Sequence, residues 1–548
     1  MNRIKILIIS LLIMNIFSCN LIKEKVDLIV LNTSIYTVDK DFSIAKSFAV
    51  KNGKFLDVGT DKEILNKYSA PIIYNAIGKT IYPGFIDGHC HFYNYGLGLQ
   101  RNADLIATKS FEEVLEIIKK FHNENPSEWI TGRGWDQNDW KNKEFPDKNE
   151  LDKLFPNNPV LLTRVDGHAA LVNLEALKRA GITGKTKVEG GVIKLKDGKP
   201  TGILIDNAID LVREIIPKPD KNEQINALIK AQDNCFAVGL TSIVDAYLDK
   251  EIVELIDSLH KCGDLKIRIY TMLSSTDENI DKFVKNGPYK TDHLTVRSIK
   301  LFADGALGSR GALLMKPYND NPDNIGLLME SPDYYRNICE KALKYGYQVN
   351  THAIGDSGVR FILNIYGEFL KDTNDLRWRI EHSQVVHPDD FKLFKKYSII
   401  PSIQPTHATS DMYWAKDRLG EKRIKGAYAY KKLLQQNGWI ISGTDFPVED
   451  INPLYTFYAA VARKDLKAYP ENGFQMENAL TREEALKSMT IWAAKGSFEE
   501  NEKGSIEPGK NADFVVLDKD IMKIEMNKIP DVKVVKTFVG GEEVYSNE

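Results

Sequence analysis

His89 and His91 flank Cys90 at the end of an apolar run, Ile81-Tyr82-Pro83-Gly84-Phe85-Ile86-Asp87-Gly88. Residues two apart on a β-strand share a face, so the two imidazoles project together while Cys90 points the other way. Two imidazoles on one face are half of a metal site, although a lone His-x-His is often just a pair of surface histidines. Three further residues of ligand type close similar strand-like runs. They are His352 in Val349-Asn350-Thr351-His352-Ala353, His382 in Trp378-Arg379-Ile380-Glu381-His382, and Asp445 in Ile440-Ile441-Ser442-Gly443-Thr444-Asp445. Lys300 sits in a fourth run, Val296-Arg297-Ser298-Ile299-Lys300-Leu301-Phe302. Imidazole and carboxylate ligands suit zinc or a similar divalent ion, held at about 2.0–2.2 Å. Four histidines and an aspartate over-ligate one catalytic zinc that must keep an open position. Two ions sharing a bridge is the better count, and Lys300 bridges only if carbon dioxide converts its amine to a carbamate.

Elements at regular intervals must carry these residues to one place. Strand-like runs fall near Phe85, Thr241–Val244, Ile267–Tyr270, Lys300, Val349, Arg379, Ile400–Ile403 and Ile441. Amphipathic helical stretches separate them, among them Ala227–Val238, Tyr334–Tyr345 and Val359–Leu370. Eight strands alternating with helices predict an α/β fold, a (β/α)8 TIM barrel over about 82–499, whose chemistry gathers at the C-terminal strand ends. A long insertion, about 93–220, separates the first two strands and is expected to shape the substrate pocket. It holds Gly132-Arg133-Gly134-Trp135-Asp136, Asp166-Gly167-His168-Ala169, and a hairpin turning on Asp197-Gly198. Short strands and an Asn52-Gly53 turn fill the segment before Ile81, and strands resume after Gly504. Neither end can form a sandwich alone, so 20–81 and 500–548 are expected to build one small β-sandwich domain together.

Composition narrows the function classes. At 548 residues the chain exceeds a single ordinary core. A net charge of −3 gives no bias toward nucleic acid or an anionic surface. Met1-Asn2-Arg3-Ile4-Lys5 followed by an apolar Ile6–Phe17 and Ser18-Cys19 is similar to a bacterial lipoprotein signal. The apolar stretch is too short for a stable membrane span. The reading is a signal over 1–19, lipidation of Cys19, and a place in the bacterial cell envelope, periplasmic or surface-facing; an ordinary secretory signal or a membrane anchor is the alternative. Cys90, Cys235, Cys262 and Cys339 are scattered and are expected to be buried free thiols.

Taken with Lys300-Leu301-Phe302-Ala303-Asp304-Gly305, Thr351-His352-Ala353, Glu381-His382 and Gly443-Thr444-Asp445-Phe446-Pro447, the motifs from Gly84 to His91 resemble the amidohydrolase superfamily. Within it, the likeness is to the amidohydrolase-3 branch of N-substituted formamide deformylase-like enzymes, from about Val26 to the C-terminus. The resemblance implies that His89, His91 and Asp445 hold one metal. It further implies that His352 and His382 hold a second, with carboxylated Lys300 between them, one or two zinc ions in all. Bound water, its pKa lowered from 15.7 to about 7, would attack an amide carbonyl. Asp445 would then serve as general base and acid.

Each residue also has a plainer reading. Lys300 could pair with Asp304, Asp445 could cap a helix, and His168 could be a core histidine rather than a catalytic donor to the substrate carbonyl. Trp135, Asp136, Arg310 and His407 are candidates for the substrate pocket, Arg310 for a substrate carboxylate. His122, His260, His293 and His387 are assigned to solvated or helical positions. The expected enzyme is a hydrolase of non-peptide carbon–nitrogen bonds acting on a small N-acyl or N-formyl amine. A cyclic amidase or deaminase with the same centre, or a lipid-anchored binding protein that has lost the chemistry, are the alternatives. Its expected partners are a small amide substrate and, through the lipid anchor only, a membrane; nucleic acid is not among them, and a homodimer is compatible.

Overall fold

The computed structural model describes residues 23–548, so the reading of Cys19 lies outside the described residues. Eight parallel strands form the centre: β1 (Phe85–Cys90), β2 (Leu240–Leu248), β3 (Arg268–Leu273), β4 (Leu294–Phe302), β5 (Gln348–Ala353), β6 (Arg379–His382), β7 (Ile400–Ile403) and β8 (Ile441–Ser442). Each strand pairs with the next in chain order. The ring nearly closes where the chain leaving β8 meets β1. There the Asp445 amide donates to His89 O at 2.8 Å, and the His91 amide donates to Phe446 O at 2.8 Å. A Cβ on Gly88 would lie 2.2 Å from Ile441 Cγ2 and 2.7 Å from Ser442 O, so glycine is what lets the two strands approach. This is the expected (β/α)8 barrel, with a strand at each of the eight apolar runs.

Alternation along the strands sorts the side chains. Leu301, Val349 and Ile380 are buried beneath the surrounding helices, which leaves Lys300, Asn350 and Glu381 on the inner face. Helix Asp356–Leu370 buries Val359, Ile362, Leu363 and Tyr366, a spacing that lines one face. Each such side chain contributes about 1.5–3 kcal/mol on burial. Helix Lys221–Ala237 starts in a capping box made by Asp220 and Glu223. Helix Pro332–Tyr345 opens on a Ser331 cap and stops at Gly346, whose φ of 76° suits glycine.

Both chain ends build a second unit. A four-stranded sheet runs in the order Lys54–Gly59, Ser47–Lys51, Leu28–Leu31, Ile72–Asn75. A six-stranded sheet brings Phe514–Leu517, Val534–Val539 and Glu542–Ser546 beside Thr80–Pro83. Phe48, Phe55, Phe514 and Phe538 fill the space between them, with Phe514 stacked on Phe538 at 4.3 Å. Asn52 and Gly53 have φ of 51° and 72°, as a two-residue hairpin turn requires.

The insertion is more ordered than its sequence suggests. Six strands from Asn102 to Asp206 form a mixed sheet with its own core. Trp135 belongs to that core: it is 1% exposed, and its Nε1 donates to Leu162 O at 2.8 Å. It does not line the substrate cavity, which corrects the sequence expectation; the aromatic ring serves the insertion's interior. Of the four described cysteines, Cys90, Cys235 and Cys339 are buried free thiols, whereas Cys262 is exposed because it occupies a helix end beside Gly263.

Candidate active site

The barrel's C-terminal mouth opens into a cavity of about 510 Å³. His91, Lys300, His352, His382 and Asp445 line its floor, and His168, His407 and Asp136 line its walls. Local backbone irregularities aim them there. Strand β1 slips register against β2 between Asp87 and Cys90, the stretch that carries His89 and leads into His91. His382 and Asp445 have φ of 72° and 64°, so the chain turns sharply at both. Consequently Glu381 and His382, though adjacent, both face the interior.

The contacts are close. His91 Nε2 lies 3.3 Å and His89 Nε2 3.6 Å from Asp445 Oδ1. His89 Nδ1 is 2.6 Å from Glu381 Oε2, and its Nε2 is 3.2 Å from Lys300 Nζ. The His352 and His382 rings meet edge to face at 4.5 Å. His407 spans two carboxylates, with Nε2 at 3.2 Å from Asp445 Oδ2 and Nδ1 at 2.9 Å from Glu449 Oε1. His168 Nδ1 sits 2.7 Å from Asp206 Oδ1, with its ring 4.9 Å from that of His352.

Burial sets the charge states. It pushes His352 and His382 well below the usual imidazole range and lowers His91 despite Asp445, so these rings are neutral electron-pair donors. Burial lowers Lys300 to about 8 against the opposing charges of Glu381 and Asp445. Burial would raise Asp445, but the His407 hydrogen bond and the imidazoles of His91, His89 and His382 around it outweigh it and hold the carboxylate well below its ordinary value. For His168 burial acts downward, and the Asp206 hydrogen bond and charge raise it above its ordinary value.

The donor set fits a divalent cation. Two groups, His89-His91-Asp445 and His382-His407-Asp445, each bring their ligand atoms within 4.8 Å of one another. Asp445 Oδ1 and His382 Nδ1 are buried without a hydrogen-bond partner among the described residues. Buried lone pairs left open on an anion and a neutral imidazole are what a metal would satisfy. His352 stands beside this second group, its Nε2 at 3.5 Å from Gly305 O. His407, read from the sequence as a pocket residue, does line the cavity and is also close enough to Asp445 to be a ligand or its partner.

Other expectations fare differently. Asp304 is not paired with Lys300; its carboxylate accepts the amides of Leu313 at 2.8 Å, Ile354 at 3.0 Å and Gly355 at 2.8 Å. Asp136 lines the cavity and pairs with buried Arg164. Arg310 lies outside the lining, because Asp320 holds its guanidinium at 3.1 Å on the loop's outer side; it is not free for a substrate carboxylate. Sequence reasoning gave no role to Asp87, Asp206, Glu381 or Glu449. Asp87 accepts from Thr444 Oγ1 at 2.7 Å and from the His89 amide at 3.1 Å, strapping the two ligand-bearing loops together. Glu381 carried a signal, its place directly before His382. Asp206 and Glu449 carried none.

A (β/α)8 barrel with buried imidazoles and a carboxylate at its C-terminal mouth defines a metal-dependent hydrolase. The chain belongs to the amidohydrolase family, whose sequence model matches residues 73–545. It is 33% identical over 541 residues to Protein LONG AFTER FAR-RED 3 of Arabidopsis thaliana, covering 95% of this chain and 91% of that protein. It is 25% identical over 539 residues to the N-substituted formamide deformylase of Arthrobacter pascens, covering 94% and 97%. The crystal structure of an uncharacterized metal-dependent hydrolase from Pyrococcus horikoshii superposes with a TM-score of 0.74 at 28% identity, covering 91% of this chain and 99% of that one.

Proposed function

We propose that the protein hydrolyses the amide bond of a small N-acyl or N-formyl amine. The observation that carries this reading is Asp445, an ionised carboxylate in contact with three histidines at the floor of a substrate-sized cavity. The 25% identity with a formamide deformylase over nearly the whole chain supports the choice of substrate class.

His89, His91 and Asp445 would hold one zinc, and His352 and His382, with Lys300 carboxylated between them, a second. When bound, the metal supplies Lewis acidity that polarises the carbonyl and brings the pKa of water to about 7. The chain's own residues handle the protons. Asp445 takes a proton from the attacking water as its oxygen bonds to the acyl carbon. As the carbon–nitrogen bond breaks, Asp445 returns that proton to the nitrogen, which would otherwise leave as a very poor amide anion. His168, oriented by Asp206, donates to the carbonyl oxygen as negative charge develops there. Arg164 pairs with both Asp136 and Asp166 in the cavity wall, so one guanidinium holds two carboxylates in place and the wall keeps a negative balance there.

The test is a screen of N-formyl and N-acetyl amines with zinc-loaded protein and with chelator-treated protein. Release of formate or acetate together with an amine, lost on chelation, is the expected result. Ammonia as the nitrogen product would replace this reading with a deaminase, and no turnover of any amide would leave a binding protein.

A further inference from the structure

We propose that Gln384 reads the N–H of the scissile amide, so that the enzyme takes secondary amides and turns away tertiary ones. This rests on the reading of the protein as an amide hydrolase. Gln384 lies two residues beyond His382, just past the end of β6, and lines the cavity although it is only 4% exposed. Its side-chain nitrogen donates to Asp411 Oδ2 at 3.0 Å and to the Tyr428 hydroxyl oxygen at 2.9 Å. The Tyr428 hydroxyl itself donates to Asp411 Oδ2 at 2.8 Å, which leaves its oxygen free to accept. Both amide protons of Gln384 are therefore spent, and a carboxylate at that distance accepts the amide nitrogen and repels the amide oxygen. Oε1 is left to the cavity, an acceptor with no donor among the described residues.

The backbone is bent to hold this arrangement. His382, Ser383 and Tyr428 take φ of 72°, 43° and 53°, left-handed values that favour glycine. Side chains kept there mark a site whose geometry its surroundings impose. The Gln384 carbonyl accepts the Tyr428 amide at 2.7 Å, and the Val385 amide donates to Ile354 O at 2.9 Å. Asp411 ends the helix Pro405–Asp411, one turn beyond His407, and both line the cavity. A buried side-chain oxygen fixed this firmly and given no partner calls for a donor from the substrate.

The order of the imidazoles sets which half of the substrate lies beside it. His168, His352, His382 and His407 follow one another, with ring centres 4.9, 4.5 and 5.9 Å apart. His168, at one end, addresses the carbonyl oxygen. At the other end His407 meets Asp445 Oδ2 at 3.2 Å, the carboxylate that returns a proton to the leaving nitrogen. Asp411 shares the helix of His407 and holds Gln384, so the nitrogen and its substituent lie against this end. A secondary amide brings one N–H to Oε1. A tertiary amide has none, and its binding would strand the Gln384 oxygen.

Paired substrates test this: an N-alkylformamide and its N-methyl analogue, offered to zinc-loaded parent and to Gln384→Met. Binding of the same pair to chelator-treated protein, followed by ligand-observed NMR, gives a readout without turnover. The parent should prefer the secondary amide by about 10–100-fold in kcat/KM. Gln384→Met, near in size and without the amide oxygen, should collapse that ratio and narrow the binding preference of the metal-free chain with it. Asp411→Asn, which frees the Gln384 amide to turn over, should erode the ratio in the same direction and serves where Gln384→Met fails to fold. A ratio that survives in the folded variants, or a parent that hydrolyses both amides alike, overturns the role of Gln384 and leaves the hydrolase reading intact. No turnover of either amide, with the secondary one still bound more tightly by the parent and not by Gln384→Met, sinks the hydrolase reading and keeps the contact. No turnover and no binding preference overturns both.

Discussion

His89 Nδ1 lies 2.6 Å from Glu381 Oε2, so a carboxylate on β6 orients an imidazole on β1 across the barrel interior. Both side chains are fully buried. A carboxylate on one ring nitrogen fixes the proton there and leaves Nε2 free to face a metal. Glu381→Gln should therefore lower metal affinity by about 10–100-fold. Competition with a chelator, read as bound metal per chain, checks it. Unchanged retention would mean that Glu381 serves the fold alone.

Asp445 combines two tasks. Its Oδ1 faces His89 and His91 while its Oδ2 faces His407. Asp445→Asn keeps the shape and loses the base. Turnover of an N-acyl amine should fall by about 10²–10⁴-fold with metal reloaded. A matched series of amines with different leaving-group basicity separates the two tasks, since loss of the acid step hurts the most basic amine most.

The barrel was legible because its strands are apolar runs spaced by amphipathic helices, and all eight follow that pattern. His89 and His91 were legible for the same reason, since alternation within β1 puts them on one face. Alternation fails at β6. There Glu381 and His382 both face inward because His382 takes a φ of 72°, which no sequence pattern announces. Arg310 misled because its charge is spent on Asp320, ten residues further on, which became visible only when the loop folded back. Trp135 misled because the insertion has a core of its own, assembled from strands too short and mixed to read as a sheet. Asp206 lies 38 residues from His168, on the far side of a hairpin, and nothing local ties the two together.

Lys300 is buried, 3.2 Å from His89 Nε2, and 4.8 Å from the centre of the Phe302 ring. Burial lowers its amine to about 8, which raises the neutral fraction able to add carbon dioxide. Protein reconstituted with zinc and ¹³C-bicarbonate should show a carbamate resonance that disappears in Lys300→Ala. Lys300→Ala should also lose bound metal at the second position, seen as a lower metal-to-chain ratio. A carbamate signal persisting in that variant would place the modification elsewhere.

His168 depends on Asp206, whose carboxylate also packs against Gly305 and Gly311 in the loop after β4. Asp206→Asn removes the charge and keeps the size. The expected loss is in kcat, with KM little changed, if His168 acts on charge that develops only during reaction. Asp206→Glu, which restores the carboxylate, should recover part of it. An equal loss in Asp206→Asn and Asp206→Glu would assign the pair to packing.

Arg268 and Asp513 join the barrel to the small domain through a buried pair at 2.7 Å. Burial would raise the Asp513 carboxyl, but the Arg268 charge and hydrogen bonds outweigh it and hold it below 3.8. A depressed carboxyl stabilises the fold fully above its unfolded value, about 3.9. That stabilisation fades as pH falls through the lower folded value, because the unfolded chain then binds the proton more readily. Thermal melting should therefore show a loss of stability below about pH 4 that is smaller in a double variant, Arg268→Met with Asp513→Leu, carrying no buried charge. Asp513→Ala alone strands the Arg268 cation and should cost about 3–5 kcal/mol at neutral pH. A single variant that melts like the parent would show that water, not Asp513, satisfies the guanidinium.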